Sequence, residues 1–110
     1  MRIIAKSMLR HFWESGHPGA KAALEDWHRV AVLATWTSPN AVKETYGNAS
    51  IIANDRVVFN IAGNKYRLVA ALDYRRGLLF VKFVGTHKQY DEINAATVNA
   101  VNAINPKAHP

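Results

Sequence analysis

The stretch from Asn54 to Asp91 constrains the fold of this chain more than any other. Three runs rich in Val, Leu, Ile, Phe and Tyr lie between turn signals, which is the pattern of a three-stranded antiparallel meander. Gly63-Asn64 reads as a two-residue hairpin loop between Ala62 and Lys65, with glycine first as a type II′ turn requires. That loop sets Asn60 opposite Arg67. Tyr74-Arg75-Arg76-Gly77 reads as a four-residue loop, with Gly77 taking the positive φ that a side chain disfavours. It sets Asp73 opposite Leu78 and Val69 opposite Lys82.

Successive strand side chains point to opposite faces, so this register sorts the meander into two surfaces. Val57, Phe59, Ile61, Tyr66, Leu68, Ala70, Leu72, Leu79, Val81 and Phe83 form a core face. Arg56, Val58, Asn60, Arg67, Val69, Ala71, Asp73, Phe80, Lys82 and Val84 form the other, where three cations and an amide stand among apolar groups. A slip of one residue in the last strand would bury Lys82 without a partner, which is costly. Gly85-Thr86-His87-Lys88-Gln89-Tyr90-Asp91 then turns the chain into a helix and presents His87 and Tyr90 near the end of the sheet.

The flanking segments supply cover for the core face. Arg2 to Ala5 suits a short first strand. Ser7 is a plausible helix cap before Met8, Leu9, Phe12 and Trp13, whose spacing gives a helical stripe. Gly16 and Pro18 end that helix and open a second, from Pro18 to about Thr35. Its residues Ala20, Ala23, Leu24, Trp27, Val30, Ala31 and Ala34 recur at the three- and four-residue spacing of an amphipathic helix. Trp13 and Trp27 read as core or partner-facing aromatics. Ala41 to Tyr46 adds a helical turn, and Ile51-Ile52 tucks back under the sheet. Tyr90 to Ile104 reads as a last helix with Ile93, Thr97, Ala100, Val101 and Ile104 on one side, stopped by Asn105-Pro106. The order is β-α-α-β-β-β-α, an α+β domain spanning residues 1–110.

Composition narrows the function. With no cysteine there is no disulfide and no thiolate chemistry, which suits a cytoplasmic site. No apolar run approaches the roughly 20 residues of a membrane span, and the cations near the N-terminus precede no continuous apolar segment of the kind a signal peptide needs. Fourteen Lys and Arg against eight Asp and Glu give a net charge of +6, which suits an anionic partner such as nucleic acid, or solubility alone. The five histidines, His11, His17, His28, His87 and His109, have no metal-site spacing with carboxylate support. No phosphate-binding glycine loop or dinucleotide fingerprint is present. No metal and no cofactor is expected.

Phe59-Asn60-Ile61, Gly63-Asn64, Tyr66-Arg67-Leu68, and Thr86-His87-Lys88 followed by Tyr90-Asp91 resemble the HigB toxins of bacterial toxin–antitoxin pairs, a branch of the RelE-like superfamily. The matching stretch covers about a third of the chain. The resemblance implies a RelE-like fold with two N-terminal helices on one face of an antiparallel sheet, the other face and the last helix lining a basic groove for messenger RNA. It also implies an endoribonuclease that cuts mRNA on the ribosome, and a cognate helix-turn-helix (HigA-like) antitoxin. The alternative is a non-catalytic RNA- or antitoxin-binding module on the same scaffold.

The residues fit that chemistry. RNA carries its own nucleophile, the 2′-hydroxyl. The protein has to move two protons and stabilise a crowded anionic phosphorus centre, and preorganised cations serve the second need. Arg67 matches the arginine of the RelE-like central strand and offers a fork for two phosphate oxygens. His87 and Tyr90 match the family's C-terminal segment and suit proton transfer. These three are the catalytic candidates. The strand lysines common in the superfamily have no clean counterpart here. Arg56, Lys65 and Lys82 stand in for them, and with Asn60, Asn64 and Lys88 they are the RNA-binding candidates. Each has a structural reading too: Arg67 as a cation paired with Asp73 or Asp91, His87 as a helix cap, Tyr90 as a core aromatic.

Overall fold

The computed structural model describes residues 1–100. The meander forms β3 (Arg56–Ile61), β4 (Tyr66–Asp73) and β5 (Leu78–Thr86). Two short strands complete a five-stranded sheet in the order β1-β5-β4-β3-β2, with β1 at Arg2–Ile4 and β2 at Ser50–Ile52. Ile51 and Ile52 therefore pair against β3 as an edge strand and do not pass beneath the sheet. The sheet is mixed: β1 runs parallel to β5, matching Ile3 to Leu79, while every other pair is antiparallel. A helical crossover joins β1 to the meander, and such connections permit a parallel neighbour where a tight turn would not.

Both turns of the meander fall where the turn residues put them. Asn60 pairs with Arg67, and Asp73 pairs with Leu78. Gly63 and Gly77 both have φ near +70°. Ala62 also sits at φ +55°, a left-handed conformation that costs an alanine energy. Beyond the second turn the register holds only as far as Ala70 opposite Val81, after which Val69 faces Phe83 and not Lys82. Lys82 is the extra residue of a β-bulge, which flips the strand that follows it. Phe83 moves to the second face, where it packs with Val58 and Val69, and Val84 moves to the core face. Lys82 would face away from the core with or without the bulge; what the bulge changes is the strand beyond it, giving Phe83 to the second face and Val84 to the core.

The core face is covered by α1 (Ser7–Glu14) and α2 (Lys21–Leu33). Met8, Leu9 and Phe12 from α1 and Leu24, Trp27 and Ala31 from α2 are buried. Trp27 meets Phe59 edge-on at 5.4 Å, so the largest core aromatic rests on the central strands. Lys6, not Ser7, is the cap residue of α1, and it makes no side-chain cap bond. Pro18–Ala20 forms a 3₁₀ turn leading into α2, which ends at Leu33, where Ala34 becomes extended. Pro39–Thr45 is a third helix, α3, capped by Ser38 accepting from the Ala41 N–H at 3.2 Å.

The largest departure from the sequence reading lies after the sheet. The last helix, α4, runs only from His87 to Asp91. Residues 92–100 form turns and irregular chain in place of the expected helix, and its Val101 and Ile104 positions lie outside the described residues. Ile93, Ala95, Val98 and Ala100 pack on Val58, Val69 and Phe83. Arg56 fixes this segment, its Nη1 donating to the carbonyls of Ala95 at 3.0 Å and Val98 at 2.6 Å. Asn54 donates to Ala96, and the Ala100 N–H donates to the Lys82 carbonyl, both at 2.8 Å. Apolar residues three to four apart suit a helix, but a sheet face with a ready apolar floor and carbonyl-seeking donors outcompetes that weak preference.

Candidate active site at the hairpin end of the sheet

The second face has three zones. Asn60 and Arg67 lie at the end near the β3–β4 hairpin, Val58, Val69 and Phe83 fill the middle, and Arg56 with Lys82 lies at the far end. Arg56 and Arg67 are separated by four ladder positions, about 13 Å at the usual rise of a strand. The candidate residues therefore do not form one continuous basic groove. They divide into two groups with an apolar bridge between them.

At the hairpin end, Arg67 is nearly buried. Its Nη1 donates to the carbonyls of Asn64 and Tyr66, each at 3.2 Å, and its Nη2 donates to the Asn64 side-chain oxygen at 2.6 Å. Neither Asp73 nor Asp91 pairs with it: Asp73 meets Arg76, and Asp91 meets His87. A guanidinium has five N–H donors. The Nε–H and one Nη2–H of Arg67 have no protein acceptor among the described residues. The turn thus clamps one side of the fork and leaves donors for a ligand oxygen.

His87 begins α4 one residue beyond the Tyr66–Thr86 ladder pair, and its N–H donates to the Lys65 carbonyl at 3.2 Å. This bond ties the helix start to the hairpin that carries Asn64. His87 is not the cap. Thr86 is, in a capping box with Gln89: the Gln89 N–H donates to the Thr86 hydroxyl at 3.1 Å, and the Thr86 N–H donates to the Gln89 side chain at 2.9 Å. The His87 ring places Nδ1 3.3 Å from the Asp91 carboxylate, one helical turn on. Both side chains are more than half exposed, so this is a surface pair within one helical turn. The sequence reading gave Asp91 only as a possible partner of Arg67. The four-residue interval from His87 on a helix is the signal that would have found its role.

The other candidates differ in their surroundings. Lys65 and Lys88 are exposed at this same end, and Asn60 is half-buried opposite Arg67. The Tyr90 ring packs against the apolar middle of the face, and its hydroxyl has no hydrogen-bond partner among the described residues. Among the described residues, no group of three His, Cys, Asp or Glu side chains stands close enough to hold a metal ion.

At the far end, Lys82 lies 5.5 Å from the Phe80 ring centre, in cation–π range. Burial, and secondarily the charge of Arg56, lower its pKa, and burial lowers that of Arg56. A folded pKa below the unfolded one means that the folded state binds fewer protons. Stability therefore rises with pH across the alkaline window between the two values. Lys82→Met, which keeps the stem and removes the charge, is expected to lose that rise and to melt no lower than the parent at neutral pH. Thermal melts across the alkaline range check both points, and an unchanged pH slope would contradict the assignment.

Fold and geometry define a small α+β protein with an arginine fork and a histidine–aspartate pair at one end of a sheet. The family described as HigB_toxin, the RelE-like toxic component of a toxin-antitoxin system, matches residues 20–93. This chain belongs to that family. A relative in Escherichia coli O6:H1, an mRNA interferase HigB, is 24% identical over 95 residues, covering 84% of this chain and 91% of that protein. No helix among the described residues is long and apolar enough to cross a membrane.

Proposed function

We propose that this chain is a cytoplasmic endoribonuclease that cleaves mRNA on the ribosome, with Arg67, His87 and Tyr90 at its reacting centre. The observation that carries the reading is that the half-satisfied fork of Arg67 and the start of α4 at His87 are tied to the same hairpin, Arg67 through Asn64 and His87 through the Lys65 carbonyl. The family match and the name of the Escherichia coli relative support the class of reaction. In the reaction, the 2′-oxygen attacks the adjacent phosphorus and the bond to the 5′-oxygen breaks. A base takes the 2′-hydroxyl proton, and an acid returns a proton to the 5′-oxygen, leaving a 2′,3′-cyclic phosphate and a 5′-hydroxyl. The free donors of Arg67 hold the phosphate oxygens as negative charge builds. His87, paired with Asp91, exchanges one proton, and the Tyr90 hydroxyl orients the 2′-hydroxyl or exchanges the other. Lys65 and Lys88 steer the RNA backbone, with Asn60 and Asn64 beside Arg67. Lys82, across the apolar middle of the face, makes a separate contact at the far end, while Arg56 serves chiefly to hold the segment at Ala95 and Val98.

Expression of the chain without its antitoxin is expected to arrest growth, with mapped mRNA fragments ending in 2′,3′-cyclic phosphates. Normal growth at confirmed high levels of folded protein would overturn the reading. His87→Ala is expected to slow cleavage by about a hundred-fold or more while sparing RNA binding, as single-turnover rates and a binding titration would record. A non-catalytic binding module is the second reading, favoured by the cover that residues 93–100 lay over the sheet face. It predicts RNA or antitoxin binding with no cleavage at all.

A further inference from the structure

The segment after α4 covers the middle of the second face without joining the sheet. Residues 92–100 contain no strand and no helix, and Ile93, Ala95, Val98 and Ala100 are only half-buried. The floor beneath them, Val58, Val69 and Phe83, is buried. Bonds inside the segment are local. The N–H groups of Thr97 and Val98 donate to the Asn94 carbonyl at 3.1 and 2.9 Å, and that of Ala96 donates to the Asn94 side chain at 3.0 Å. Such a turn keeps its own bonds when it moves as a unit. The buried Asn99 Oδ1 has no hydrogen-bond partner among the described residues, which is an uncompensated cost of the covered state.

The polar ties from this segment to the rest of the chain are few. Arg56 Nη1 donates to the Ala95 and Val98 carbonyls, Asn54 donates to Ala96, and the Ala100 N–H donates to the Lys82 carbonyl. Arg56 is thus held by neutral acceptors. A phosphate is a stronger acceptor, because both partners are then charged and two of its oxygens match the guanidinium. An anionic ligand lying across the face competes for the donor that holds the cover down. It gains that contact in the open state alone, and such a difference is what shifts an equilibrium.

We propose that residues 94–100 are a displaceable strap, closed over the face in the free chain and lifted by single-stranded RNA. A backbone phosphate takes Arg56 from the Ala95 and Val98 carbonyls, and a base covers the apolar floor with Phe83 as its stacking surface. The proposal rests on the reading of this face as an RNA surface. It adds that the free chain holds the face shut, so RNA reaching from Arg67 to Lys82 binds only after the strap leaves.

The sequence has no cysteine, so an engineered pair can lock the strap without competing thiols. Asn54→Cys/Ala96→Cys joins two positions already linked by a 2.8 Å hydrogen bond, and thiol titration verifies the bridge. Two further variants loosen the strap. Asn54→Gly drops one tie and keeps the φ of +65° that glycine accepts, and Val98→Ser removes an apolar anchor. The probe is a labelled single-stranded 2′-O-methyl RNA, which has no free 2′-hydroxyl to attack. Thermal melts verify folding. The oxidised lock is expected to bind about ten-fold or more weakly than the same molecule reduced, and each loosened variant about three-fold or more tightly than the parent, because apparent affinity scales with the open fraction. The parent is expected to bind equally with and without reductant. Equal affinity of the oxidised and reduced lock would overturn the proposal. So would weaker binding by the folded loosened variants, which would make the segment a wall of the RNA site. Absence of RNA binding in every form would overturn it as well. If the bridge does not form, the loosened variants decide. The expected affinity shifts without cleavage of unmodified RNA by any form would leave the strap standing and sink the endoribonuclease reading. Cleavage by the parent with unshifted affinities would do the reverse.

Discussion

Arg67→Ala is expected to cut the cleavage rate by about a hundred- to a thousand-fold, the usual loss for one preorganised electrostatic contact of roughly 3–4 kcal/mol. The side chain also clamps the hairpin turn through Asn64, so a loss of stability accompanies the loss of rate. Asn64→Ala separates the two. It removes the side-chain acceptor at 2.6 Å but leaves the guanidinium in place. If Arg67 binds the scissile phosphate, Arg67→Ala loses far more activity than Asn64→Ala at a similar fall in Tm. If Arg67 only staples the turn, the two variants lose stability and activity together, and the site proposed for this end is wrong. Lysine at position 67 is expected to recover activity only in part, because a point charge cannot serve both the turn and two phosphate oxygens. Cleavage rates set against Tm for the three variants make the comparison.

The second large effect is expected at Gly85. It pairs with Arg67 across the ladder, and the Phe83 ring lies over it. A Cβ added at Gly85 would run into that ring, coming within 2.9 Å of its Cε2 and 3.0 Å of the Gln89 side-chain oxygen. Phe83 is held by Val58 and Val69, and Gln89 closes the capping box that starts α4, so neither neighbour yields freely. Gly85→Ala is expected to destabilise the protein by about 1–3 kcal/mol, a fall in Tm of roughly 5–20 °C. Because the same push disturbs the helix start that carries His87, cleavage should fall below what the lost stability explains. Trimming the ring should relieve the clash: in the double variant Gly85→Ala/Phe83→Leu the two effects are expected to be less than additive. Additive melting shifts would show that Phe83 is not the obstacle.

The parts of this fold readable from the sequence are those that local chemistry decides. Gly63 and Gly77 mark turns because few other residues accept their backbone angles, and the turns fix the pairs Asn60–Arg67 and Asp73–Leu78. Alternation named nearly all of the core face, and helical spacing placed Leu24 and Trp27 against it. Arg67, His87, Asn64 and Lys65 belong to one end of the sheet for the same local reason: each sits within a few residues of the same hairpin or of the strand end facing it. What tertiary structure alone decided depends on contacts distant in sequence. The bulge at Lys82 decides which packed face takes Phe83 and which takes Val84, and strand alternation carries no record of that competition. Residues 93–100 abandon a helical pattern because Arg56, some 40 residues earlier, offers donors to Ala95 and Val98. Arg67 chose Asn64 over either aspartate, because the turn sets an amide oxygen beside it while Asp91 is held by His87. Short-range sterics and periodicity fixed the strands and their ends, and long-range packing decided which polar groups were left free to act.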